Sequence, residues 1–207
     1  STPLYSSAAS DVYKRQGFIR IGGRSLLSAS PEQFLHAEDG VIRTRPIKGT
    51  RPRGVDDAHD AALASELAVD AKERAENVMI VDLMRNDLSR VCEPGSIRVD
   101  ALWAVETYPA VHQLVSTVSG TAAAGTTASA LLEASFPAGS MTGAPKLSAM
   151  TCLHDLEGAP RGVYAGCFGY VGDDGALDLA MVIRSIVFDG AEAVSYTHLT
   201  LPTNREV

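Results

Sequence analysis

No run of about 18 or more apolar residues occurs anywhere in this 207-residue chain, so it offers no candidate membrane-spanning helix. Cysteine is scarce. Cys92, Cys152 and Cys167 lie far apart and form no Cys-x-x-Cys pair. That argues against a disulfide scaffold or a zinc ribbon and fits a reducing cytoplasm. Positive charge is in deficit, with 18 Lys and Arg against 25 Asp and Glu and a net charge of -7. An acidic chain of this kind speaks against general nucleic-acid binding. Residues 1–16 are Ser-rich and lack the apolar core of a signal peptide, and residues 195–207 show neither periodicity nor a helix signal. Both ends read as foreign flanks around a genuine reading frame, which leaves residues 17–194 as the informative chain. What the chain does have is 45% hydrophobic residues, the content of a core-forming globular protein.

Against that acidic background, one stretch is strongly basic. TRPIKGTRPRG (residues 44–54), with Arg43 just before it, puts Arg43, Arg45, Lys48, Arg51 and Arg53 close together. Pro46 and Pro52 fix φ and push the residues before them toward extended geometry, while Gly49 and Gly54 permit unusual turns. Lys48 is therefore expected on a constrained loop or strand end. Positive charge held on a fixed backbone suits a small anion with carboxylates or phosphates, and a solvated basic hairpin is the alternative.

The rest of the chain alternates hairpins with one long helical stretch. Residues 17–30 read as two short strands around Gly22-Gly23. Residues 33–37 and 41–47 read as a hairpin across Asp39-Gly40. Its pairing brings Lys48 to the level of Glu32, where the cation is expected to keep Glu32 ionised; an ordinary cross-strand ion pair is the other reading. Residues 56–90 carry no Gly or Pro and predict helix, capped by Asp56 or Asp57, with a break near residues 69–71. Glu73 and Glu76 share one face of it, as metal ligands or as solvated carboxylates. Residues 78–84 are apolar almost all round and predict burial.

Two strands are expected over 96–108 and 111–120, with His112 and Gln113 on opposite faces of the second. A short helix at 128–135 ends at Phe136-Pro137. PAGSMTGAPK (residues 137–146) then leaves the backbone bare at Gly139, Ser140, Thr142 and Gly143, before a helix that opens near Pro145. Free N–H groups there, with Lys146, suit a carboxylate as well as a phosphate. It is not a Walker A loop, because the glycine spacing differs and Leu147 stands where Ser or Thr is required. Residues 161–171 and 176–188 predict a closing hairpin, with Arg184 facing inward among apolar neighbours and Tyr164 pointing the same way, either toward a site or as core residues with satisfied polar ends.

Taken in order, SPEQFL, TRPIKGTRPRG, KERAENVMIVDLMRND, YPAVHQLVST, FPAGSMTGAPK and VIRSI resemble the chorismate-binding enzymes, across nearly all of residues 17–194. The resemblance implies an α+β fold, an antiparallel β-sandwich with outer helices. The PIKGT sequence resembles the branch that makes 4-amino-4-deoxychorismate for 4-aminobenzoate and folate. By that likeness Lys48 is the nucleophile that attacks C2 of chorismate while the C4 hydroxyl leaves, and Glu32 is the general acid and base at that hydroxyl. Ammonia, delivered by a glutamine amidotransferase subunit or domain, then adds at C4 and expels the lysine. Glu76, with Glu73 beside it, resembles a Mg²⁺ ligand. Ser140, Met141, Thr142, Gly143, Tyr164 and Arg184 would hold the substrate carboxylates, and Lys146 would support that loop.

Two departures stand out. Gln113 occupies the place where most members have His. The motifs also stop short of a final helix that in the family carries further Mg²⁺-binding glutamates, so the chain reads as the middle of such an enzyme. Amination at C2, as in anthranilate synthases, is the alternative within the family. A non-catalytic anion-binding module is the alternative outside it.

Overall fold

The computed structural model of the protein describes residues 16–196. Its strands and helices run β1 (Gln16–Ile21), β2 (Arg24–Ala29), β3 (Gln33–Glu38), β4 (Val41–Arg45), β5 (Ile47–Pro52), α1 (Asp57–Val69), α2 (Ala71–Ser89), β6 (Arg98–Thr107) and β7 (Val111–Thr121). They continue with α3 (Ala128–Ser135), α4 (Lys146–Glu157), β8 (Cys167–Val171), β9 (Leu177–Met181), β10 (Ser185–Asp189) and β11 (Glu192–Tyr196). Every strand pairing is antiparallel. The larger sheet has seven strands in the order β5-β7-β4-β3-β9-β8, with β6 also on β7; the smaller has the order β1-β2-β10-β11. With the helices outside, this is the expected α+β architecture. β1 begins at Gln16 and β11 ends at Tyr196, so the remaining residues of the two suspected flanks lie outside the described residues.

Local chemistry explains the breaks. Gly22 and Gly23 take positive φ between β1 and β2, as do Asp39 and Gly40 between β3 and β4. The strand expected over 41–47 divides at Pro46, which has no N–H to give a ladder; its carbonyl accepts from Ser116 N at 3.2 Å. β4 lies between β3 and β7, whereas β5 moves to the far side of β7. The helical stretch breaks at Asp70. That residue ends α1 and caps α2, its carboxylate accepting from Lys72 N and Glu73 N at 3.0 Å each.

α2 packs on β7, β5 and β6, with Ile80, Val81, Met84 and Leu88 in a core shared with Phe34, Leu35, Ile42, Val118 and Met181. Burial is one-sided. Val78 and Met79 are each 41% exposed, contrary to the all-round burial that their hydrophobicity predicts, because the sheet covers only the face bearing Asn77, Ile80 and Met84.

The closing hairpin also differs from expectation. β8 and β9 pair across the 172–175 turn, but the chain then leaves the larger sheet at 182–184 and enters the smaller one as β10. VIRSI is that crossing and not a continuous strand. Arg184 sits in it with φ 48 and an exposed side chain, so it does not face inward as its apolar neighbours predict. Cys92, Cys152 and Cys167 are free thiols, and no helix among the described residues is long and apolar enough to cross a membrane.

Candidate functional site

The basic stretch that dominates the sequence is mostly anchorage. Arg45 pairs with Glu106, and Arg51 reaches Glu66 at 3.0 Å and Asp70 at 2.8 Å. Arg53 grips both carboxylate oxygens of Asp60, at 2.8 and 2.7 Å. These arginines tie β5 to α1 and β4 to β6, so their charge is met internally.

Lys48 is used differently. Between the register pairs Ile47↔Val115 and Thr50↔Gln113, β5 carries one residue more than β7, which is a bulge. A bulge kinks the strand and re-aims a side chain. Gly49 makes this one possible at φ 86: a Cβ there would lie 2.9 Å from Leu67 Cδ1 and 3.1 Å from Glu73 Cβ and Cγ. The lysine is therefore held on a constrained strand, as expected, against the first turn of α2.

Lys48 acts through space on Glu32, which is 6% exposed. Glu32 sits in the turn before β3, where its N–H donates to Ser30 Oγ at 3.3 Å and its carbonyl accepts from Met181 N at 3.1 Å. Its carboxyl accepts a hydrogen bond from Ser140 Oγ at 2.6 Å. Burial pushes its pKa from 4.5 up to about 7, against the hydrogen bond from Ser140 and the charge of Lys48, which both lower it. The expectation that Lys48 keeps Glu32 ionised is thus corrected. Desolvation outweighs one neighbouring cation and a single hydrogen bond.

Ser140 lies in the 3₁₀ turn Gly139–Met141, and α2 positions that segment too. A Cβ on Gly139 would lie 2.7 Å from Leu83 Cδ2, so the turn rests on the helix. Further along, Lys146 Nζ donates to Asp87 Oδ2 at 2.6 Å and to Ser135 O at 2.9 Å. Lys146 therefore supports the loop, and Asp87 is the partner that fixes it; burial raises the Asp87 pKa even so. α2 thus touches the Lys48 bulge at Glu73, the Ser140 turn at Leu83 and the start of α4 at Asp87.

Tyr164 is buried, its N–H donating to Arg161 O at 3.1 Å, and the next residue is tied to the sheet crossing by Ala165 N donating to Val182 O at 3.1 Å. Its ring stacks on Tyr196 with centroids 5.5 Å apart. Thr142 Oγ1 turns back onto Ala138 O at 3.3 Å, while Gly143 takes φ 134 just before Ala144 and Pro145. Glu32, Lys48 and Ser140 are brought together; Arg184 sits at the sheet crossing with an exposed side chain, its carbonyl accepting from Ala29 N at 3.1 Å.

Glu73 and Glu76 are half-buried, three residues apart on α2. Glu76 lies 3.8 Å from Lys72 Nζ. Among the described residues no three His, Cys, Asp or Glu side chains converge on one point. Two carboxylates of this kind fit Mg²⁺ only as a partial oxygen shell, the rest coming from substrate and water, which is the ion's ordinary habit.

His112 is structural. Its Nε2 meets Asp60 Oδ1 and its Nδ1 meets Thr107 Oγ1, each at 2.9 Å. Gln113 is also buried, and its Oε1 has no hydrogen-bond partner among the described residues. Sequence reasoning missed the Ser140–Glu32 hydrogen bond and the Arg161 contacts taken up below. Nothing in local spacing signals the Ser140–Glu32 or Arg161–Met141 contacts, 108 and 20 residues apart; the Glu157–Arg161 pair is at i,i+4.

The model of the family described as chorismate binding enzyme matches residues 8–197. An aminodeoxychorismate synthase of Streptomyces pristinaespiralis is 53% identical over 171 residues, covering 82% of this chain and 24% of the relative. The anthranilate synthase component 1 of Streptomyces coelicolor is 51% identical over 166 residues, covering 80% of this chain and 32% of that protein. The crystal structure of anthranilate synthase component I from Streptococcus pneumoniae superposes with a TM-score of 0.79 at 37% identity, covering 88% of this chain and 40% of that one. The chain thus spans less than half the length of these relatives.

Proposed function

This chain belongs to the chorismate binding enzyme family, and from that premise we propose that it carries the central part of an aminodeoxychorismate synthase component 1. Overall similarity does not choose between the branches, since relatives of both names match at 53% and 51% identity. The observation that carries the choice is Lys48, aimed by the β5 bulge and close enough to act on the carboxyl of Glu32. A primary amine at that place supplies a nucleophile from the protein itself.

The chemistry follows from the pair. Lys48 attacks C2 of chorismate as a free amine, the double bond shifts, and the C4 hydroxyl leaves with the proton of Glu32, as water. A carboxyl that titrates near neutral pH is suited to give that proton and later to take one back. Ammonia, from a glutamine amidotransferase partner, then adds at C4 while the bond from Lys48 to C2 breaks. The product is 4-amino-4-deoxychorismate, a precursor for 4-aminobenzoate and folate. Ser140–Gly143, Tyr164 and Arg184 hold the substrate carboxylates in this reading. Glu73 and Glu76 would hold Mg²⁺, whose charge would offset a substrate carboxylate. The free thiols fit a reducing cytoplasm, where we place the protein.

The 51% identical anthranilate synthase favours a second reading, amination at C2. A segment swap decides between them. Residues 16–196 would replace the matching segment of the Streptomyces pristinaespiralis relative, and the hybrid would be given chorismate, Mg²⁺ and ammonium. Aminodeoxychorismate as product, reduced at least about 100-fold by Lys48→Ala, supports the proposal. Anthranilate as the main product overturns it.

A further inference from the structure

We propose that Arg161, locked by Glu157, is a positioning residue that holds the carbonyl of Met141 and so sets the hydroxyl of Ser140 against Glu32. The inference rests on the reading of Glu32 given above for its catalytic consequence, but on geometry alone for the contact.

Glu157 is the last residue of α4, and Gly158 follows as its left-handed cap at φ 61, which turns the chain back along the helix end. Arg161 Nε then donates to Glu157 Oε1 and Oε2 at 3.0 and 2.8 Å, and its Nη2 donates to Oε1 at 2.5 Å. Nη1, on the other edge of the same plane, donates to Met141 O at 2.8 Å. The guanidinium thus spends one edge on a carboxylate and the other on a main-chain carbonyl, a division that an ammonium group cannot reproduce in fixed geometry. The pair is enclosed, with side chains 19% and 9% exposed, and Arg161 holds the Glu157 carboxyl below its usual range.

The carbonyl it takes belongs to the last residue of the Gly139–Met141 turn, where helical geometry leaves acceptors unmet. Ser140 is therefore fixed from both sides, with Gly139 seated on Leu83 before it and Met141 O held by Arg161 after it. Among the described residues no hydrogen bond or ion pair runs from Arg161 or Glu157 to Glu32, and neither charge is among the causes of its shift, so their influence on the carboxyl passes through Ser140. Lys48, on β5, is the charged group that acts on Glu32, and the variants below leave it in place.

The test reads the proton on Glu32 without turnover. The full 207-residue chain is labelled with ¹³C at the glutamate carboxyls, and the Glu32 signal is assigned by its loss in Glu32→Gln. Ser140→Ala is expected to move the Glu32 midpoint upward by about one pH unit, because a hydrogen bond to the charged form is lost. Arg161→Gln is expected to move it the same way, and the double variant no further than Ser140→Ala alone, as residues acting through one contact do. An unchanged midpoint in Arg161→Gln, or two shifts that add in full, overturns the proposal. Should Arg161→Gln fail to fold, Glu157→Gln takes its place, with a smaller shift of the same sign expected; no shift there overturns the proposal too. A chain that titrates as described while its segment-swapped hybrid makes no aminodeoxychorismate would remove the proposed function and leave the positioning role intact.

Discussion

Two carboxylates, the half-buried Asp60 on α1 and the buried Glu32 just before β3, behave in opposite ways. Asp60 accepts two hydrogen bonds from Arg53, one from Gly54 N at 2.7 Å and one from the ring of His112. Arg53 above all, with those other donors, holds its pKa well below the usual carboxylate range. Glu32 is buried with the single hydroxyl of Ser140 as donor, and burial pushes it up to about 7. The difference is burial first and donors second. A half-buried carboxylate with four donors fixes β5 to α1, whereas a buried one with a single donor binds a proton more readily.

The largest expected effect comes from removing that proton. In the segment-swapped hybrid, Glu32→Gln should lower the rate of aminodeoxychorismate formation by about 10²–10⁴-fold, while Asp60→Asn should change it far less, measured as kcat at saturating chorismate. Stability should divide the other way. A carboxyl raised from 4.5 to about 7 binds its proton more tightly when folded, so its contribution is favourable at low pH and is lost as pH rises across that window. Glu32→Gln should remove this slope and stabilise the chain at pH 8 by about 3 kcal/mol, from the pKa difference in denaturant titrations at several pH values.

Asp60 predicts the reverse sign. Its lowered pKa means that stability is present above the ordinary value of 3.8 and is lost as pH falls below it. Asp60→Asn should therefore lower Tm at pH 7 and flatten the acid limb of the stability curve. A smaller loss is expected from Gly49→Ala, which meets both a left-handed φ and the Leu67 methyl; about 1–3 kcal/mol by equilibrium unfolding is the expected size. Arg184→Ala should move stability by no more than about 0.5 kcal/mol, because its side chain is exposed. A rise in KM for chorismate without a fall in Tm would assign Arg184 to the substrate.

Much of this arrangement was legible in local sequence. The Gly22-Gly23 and Asp39-Gly40 turns, the Asp56 cap, the break near residues 69–71 and the stop at Phe136-Pro137 all follow from rules that act over a few residues. The constrained position of Lys48 was legible for the same reason, since Pro46 and Gly49 shape its backbone directly. The fate of the neighbouring arginines was not. Arg45, Arg51 and Arg53 look like one cluster in the sequence, and only the packing of α1 on β5 and the pairing of β6 with β7 bring carboxylates to each.

Arg184 misled because a lone charge among apolar residues reads as inward, while the chain there is changing sheets at positive φ. The raised pKa of Glu32 depends on burial among distant parts of the chain, the Ser140 turn among them, which no single stretch encodes. Val78 and Met79 show the same limit, since their exposure depends on where the sheet ends and not on their hydrophobicity.

The central claim is that Lys48 forms a bond to the substrate, and withholding ammonia tests it most directly. The segment-swapped hybrid would be incubated with chorismate and Mg²⁺ alone, digested, and the peptide containing Lys48 weighed by mass spectrometry. The account predicts a mass gain of chorismate less one water on that peptide, absent in Lys48→Ala and dispersed when ammonium is added. An unmodified Lys48 peptide from a hybrid that makes aminodeoxychorismate once ammonium is supplied would contradict it.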